Sequence, residues 1–161
     1  MSTDALLTIA EISGTFAGLV ALASLIKSRP RGDMYLVGMI ETSLFALVFA
    51  LMPVLLSASG RLDDSVLRPC AGLFLIFWSL LQVRGYLLAR ASFSQQAVSR
   101  LEAGSAVVMA AVQLAGIVLP AILLSPWLPN HSATLYSLAV LCPLLVTAFV
   151  LWITVYEIAL E

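Results

Sequence analysis

The chain has 161 residues, 61% of them hydrophobic and only 11% charged, with a formal net charge of -1 and a mean hydropathy of +1.06. A soluble domain carries about 45–50% apolar and about 25% charged residues, so this is the composition of a membrane protein one domain long. Apolar spans consume nearly all of it, which excludes a soluble catalytic domain and with it most enzyme classes.

Five uninterrupted apolar runs are present: Ala5 to Ile26, Leu36 to Ser57, Ala71 to Ala89, Ala103 to Leu124 and Ala133 to Ala159. Each reaches the ~20 residues that a helix needs to cross ~30 Å of hydrocarbon. Barrel strands alternate apolar and polar residues over ~10 positions, whereas these runs are continuous. The expected fold is an all-α integral membrane protein, a single bundle of five transmembrane helices. The first run is not read as a secretory signal, because Met1, Ser2, Thr3 and Asp4 supply no basic residue ahead of it.

Direction follows from basic residues in the connectors. Lys27, Arg29, Arg31, Arg90 and Arg100 fall on one side, while Arg61 and Arg68, beside Asp63 and Asp64, fall on the other. By the positive-inside rule the N-terminus is outside and the C-terminus inside, and the compartment expected is the bacterial cytoplasmic membrane.

Within a bilayer, helices associate through small residues and a few polar bonds. The first run carries Gly14 and Gly18 in a small-xxx-small pattern, read as helix packing inside the chain ahead of dimerisation. In the second run Ser43, Ala46 and Ala50 share one side at steps of three and four. Two stripes are more polar. Thr8, Glu11, Thr15 and Gly18 share a face of the first helix; Tyr136, Thr147, Thr154 and Glu157 belong to a file along the fifth. Either face is a candidate path for an ion or small solute.

Three charges fall at membrane depth: Glu11, Glu41 and Arg84. Such a charge costs about 2.5–3.5 kcal/mol on insertion scales, so it faces an interior, a water path or a partner. The second and third helices run oppositely, which puts Glu41 and Arg84 at one level and predicts a structural ion pair. Glu11 has no basic residue at its level and is expected to be neutral or wetted by a polar cavity.

Much chemistry is missing. One histidine, His131, excludes a histidine cluster for haem or zinc, and Cys70 and Cys142 form no Cys-x-x-Cys. No phosphate-binding loop, nucleophile elbow or nucleic-acid patch is present, so no cofactor, metal or catalytic residue is expected and the chain is not read as an enzyme. The function expected is an oligomeric, cation-permeable channel or channel-like transport protein, a homo-oligomer in the lipid bilayer. Its alternatives are a non-conducting subunit scaffolding a partner membrane protein and a proton-coupled exporter of small solutes.

Overall fold

The computed structural model describes the backbone of residues 3–26, 32–57, 62–92, 100–125 and 132–159, and the side chains of 3–21, 37–57, 62–87, 107–125 and 132–152. Five helices follow one another: α1 (Thr3–Ile26), α2 (Gly32–Leu56), α3 (Asp64–Ser92), α4 (Arg100–Leu124) and α5 (Ser132–Ala159), with no strand among the described residues. All five are long and apolar enough to cross a membrane.

The helices outrun the apolar runs at their polar ends. The largest difference is in α3, which begins at Asp64 and not at Ala71. Hydrogen bonds from the Val66 and Leu67 amides to the Asp63 carbonyl, both 3.0 Å, start the first turn. Asp64 then lies where the helix dipole favours an anion, and Leu67 and Cys70 are already in the core. Pro69 sits within this early part of the helix without ending it.

Contacts between helices step in opposite directions along each partner, which makes neighbours antiparallel. On α2 and α3, Phe49 meets Phe74 with ring centroids 5.3 Å apart, while Glu41 meets Arg84. Gly72 lies beside Leu124, while Trp78 reaches Gln113 on α4. Tyr136 reaches Phe49 at one level of α5 and α2, and Thr147 reaches Thr42 at another.

The main pairings are α1 with α2, α2 with α5, α4 with α5 and α3 with α4; α5 also touches α1 and α3, so it is the central helix. Half of its span is buried, against 17% of the span of α4. Around it close Leu6, Ile9 and Ala10 of α1, Ala46 and Ala50 of α2, Phe74 and Trp78 of α3 and Leu123 of α4. Phe45, Phe49, Phe74 and Trp78 form an aromatic seam between α2 and α3, with neighbouring centroids 4.5 to 6.2 Å apart. Lipid is as apolar as leucine, so dispersion and close fit hold such a seam more than exclusion of water does. At Gly116 the fit requires glycine: a methyl group there would lie 2.6 Å from Trp78 Nε1 and 3.3 Å from Cys142 Cβ.

Candidate functional site

The two polar stripes of the sequence have opposite fates. On α1, Leu6, Ile9, Ala10, Ser13 and Val20 are buried, a spacing of three and four that turns one face to the bundle. The opposite face therefore points outward, and Thr8, Glu11, Gly14, Thr15 and Gly18 are all exposed on it. Thr8 donates its hydroxyl to the Asp4 carbonyl and Thr15 to the Glu11 carbonyl, both at 2.9 Å. Those protons are spent on the helix itself, so each threonine oxygen turns only acceptor capacity outward. The Glu11 carboxylate, well inside the Thr3–Ala21 span, has no hydrogen bond or ion pair among the described residues.

Gly14 and Gly18 correct the expectation of packing inside the chain. A methyl group at either would meet no atom of the described residues within 4 Å, so among these residues neither glycine packs against another helix of the bundle. The face that packs α1 is the one carrying Ala10 and Ser13. Ser43, Ala46 and Ala50 are fully buried on α2.

The file on α5 is corrected as a path at its described positions. Tyr136 and Thr147 are 0% exposed. Tyr136 donates its hydroxyl to the Phe49 carbonyl at 2.7 Å, and Thr147 donates to the Pro143 carbonyl at 3.0 Å while standing 2.7 Å from the Thr42 hydroxyl. These side chains tie α5 to α2 and line no opening. The physical reason is that α5 is central, and in a bilayer a hydroxyl gains most where another helix supplies its bond. The side chains of Thr154 and Glu157 lie outside the described residues.

Glu41 and Arg84 are brought together, Nη1 of Arg84 donating to Oε1 of Glu41 at 2.9 Å. The pair is not enclosed: the arginine side chain is 58% exposed and the glutamate 37%.

Sequence reasoning missed two features. Thr42, the partner of Thr147, stands between Glu41 and Ser43 and carried no pattern of its own. The role of Tyr136 had a readable signal in Pro53. Proline has no N–H, so the carbonyl four residues earlier, that of Phe49, loses its helical donor, and Tyr136 supplies one from another helix. Ser43 Oγ, fully buried, has no hydrogen-bond partner among the described residues.

Among the described residues no group of three or more His, Cys, Asp or Glu side chains could hold a metal. A hollow of about 150 Å³ between α4 and α5 is walled by Val108, Met109, Val112, Leu145, Val146 and Phe149. It offers an ion nothing polar. On the outward face of α1 the Glu11 carboxylate stands exposed without a partner among the described residues.

Five helices of this length and apolarity, with the polar bonds turned inward around a central helix, suggest the class of integral membrane helix bundles. Comparisons with protein-family models, with curated proteins and with solved structures found no match.

Proposed function

We propose that copies of this chain assemble into an oligomeric, cation-permeable channel or channel-like transport protein whose path runs along the Thr8, Glu11, Thr15 and Gly18 faces of α1. The observation that supports this is the exposed Glu11 carboxylate, without a partner among the described residues, well inside an apolar span. Hydrocarbon offers a carboxylate no hydrogen bond, and an intramembrane charge costs about 2.5–3.5 kcal/mol. Water in a path shared between copies removes that cost. One bundle closed around α5 leaves no polar route through its described core, so the route is built between copies by symmetry. The threonine oxygens, their protons turned into the helix, offer acceptors to a cation, and repeated Glu11 carboxylates draw it in. The proposal keeps the N-terminus outside, the C-terminus inside and the bacterial cytoplasmic membrane as the site of action, on the strength of the basic residues of the connectors.

The test is ion flux into liposomes holding purified protein. Wild type is expected to conduct a monovalent cation, and Glu11→Gln to change selectivity among cations without loss of assembly. No flux above empty liposomes across pH and voltage overturns the reading.

A second reading is favoured by the open surface at Gly14 and Gly18: a non-conducting subunit whose α1 packs against a different membrane protein. A stoichiometric unrelated partner copurified from native membranes supports it. Solute movement that stops when the proton gradient collapses instead supports a proton-coupled exporter.

A further inference from the structure

The Glu41–Arg84 pair sits on the lipid-facing side of the bundle. Around Arg84 on α3, Leu80, Val83, Tyr86 and Leu87 are 57 to 68% exposed, and around Glu41 on α2 so are Val37, Leu44 and Val48, at 46 to 56%. The pair lies toward the Gly32 end of α2 and the Ser92 end of α3. Glu41 is five residues inside the apolar run that starts at Leu36 and Arg84 five residues inside the run that ends at Ala89, about 7.5 Å at 1.5 Å per residue. From that depth an arginine can snorkel toward the phospholipid headgroups.

Arginine carries five N–H donors. One nitrogen, Nη1, is spent on Oε1 of Glu41, and the guanidinium remains more than half exposed. The carboxylate likewise keeps lone pairs that Arg84 does not use. Two opposite charges in contact, each with outward hydrogen-bonding capacity and flanked by apolar side chains suited to acyl chains, face the lipid. A purely anionic headgroup gains the guanidinium and is repelled by the carboxylate beside it. A headgroup bearing both a phosphate and an ammonium with N–H donors complements both.

We propose that the groove between α2 and α3 at the Glu41–Arg84 pair binds the headgroup of a phosphatidylethanolamine-type lipid, its phosphate accepting from Arg84 and its ammonium donating to Glu41. The inference is independent of the α1 path, since it uses different residues on a different face.

The test is native mass spectrometry of the purified full chain with phosphatidylethanolamine, its N-methyl, N,N-dimethyl and choline analogues, and phosphatidylglycerol, all with the same acyl chains. Methylation removes N–H donors one at a time while keeping charge and phosphate. Wild type is expected to bind the ethanolamine lipid about tenfold more tightly than the choline lipid, the ratio that one charge-assisted hydrogen bond supplies, with affinity falling along the series. Glu41→Gln is expected to flatten the series, and Arg84→Gln to weaken every member of it. The headgroup series on unmodified protein stands whether or not either variant folds. Equal affinity for the ethanolamine and choline lipids overturns the proposal, and so does tighter binding of phosphatidylglycerol than of either.

Discussion

Removal of one oxygen atom, by Tyr136→Phe, tests how α5 is fastened to α2. Pro53 leaves the Phe49 carbonyl without its helical donor, and Tyr136 Oη donates to that carbonyl at 2.7 Å with the side chain 0% exposed. Phenylalanine keeps the ring and its packing but leaves a buried acceptor without this partner. An acceptor orphaned in this way costs about 1–3 kcal/mol in soluble proteins, whereas interhelical bonds in a bilayer average about 0.6 and reach about 1.7 kcal/mol. The bundle interior at Phe49 is closed to water, so the upper part of the membrane range applies. The expected loss is about 1–1.5 kcal/mol, a shift of roughly five- to thirteenfold in the folded-to-unfolded ratio.

The measurement is equilibrium unfolding in mixed detergent micelles, made as a cycle with Pro53→Ala. Alanine restores an N–H at position 53 and offers the Phe49 carbonyl a donor from its own helix, so the tyrosine hydroxyl becomes redundant. In that background Tyr136→Phe is expected to cost less than half as much. An equal cost with and without Pro53 refutes the reasoning, because the hydroxyl would then act through something other than the proline gap.

Three further variants follow from the packing. Gly116→Ala places a methyl 2.6 Å from Trp78 Nε1 and pushes the indole off the Gln113 carbonyl that it reaches at 3.4 Å; a loss of about 1–3 kcal/mol and an altered Trp78 emission are expected, and an unchanged unfolding midpoint counts against it. Thr147→Val removes the 2.7 Å contact with Thr42 at about 0.5–1.5 kcal/mol, and because the two hydroxyls serve each other, Thr42→Val added on top is expected to cost little more. Gly18→Leu projects from the exposed face of α1, where a Cβ meets no atom of the described residues within 4 Å, so unfolding of the single bundle is expected to be unchanged while the oligomer mass in mild detergent falls; a stable oligomer in that variant removes α1 from the interface.

The five helices were legible because hydrocarbon thickness sets a minimum length for an apolar run, and that constraint acts on the sequence directly. Their ends were less so. Arg68 and Pro69 read as connector, yet α3 runs through both, because the Asp63 carbonyl starts the helix upstream and Leu67 and Cys70 have core to fill. The contact between Glu41 and Arg84 was legible for a similar reason: antiparallel neighbours at a known rise per residue leave little freedom in level.

What periodicity could not tell was the surroundings of each polar face. Steps of three and four report which residues share a side of a helix, and Thr8, Glu11 and Thr15 look much like Tyr136, Thr147 and Thr154 by that measure. In water the polar face of a helix turns outward, so the pattern alone assigns the inside. In a bilayer, polar groups that can be hydrogen-bonded go inward, and the pattern loses its sign. Tyr136 and Thr147 obey the bilayer rule, each having a partner on α2. The α1 face departs from it, and its difference is the carboxylate. A threonine satisfies its proton on its own helix, as Thr8 and Thr15 do, whereas Glu11 has no such recourse and finds no donor among the described residues. The same spacing of residues therefore fastens a core on α5 and leaves on α1 an exposed carboxyl group without a partner among the described residues.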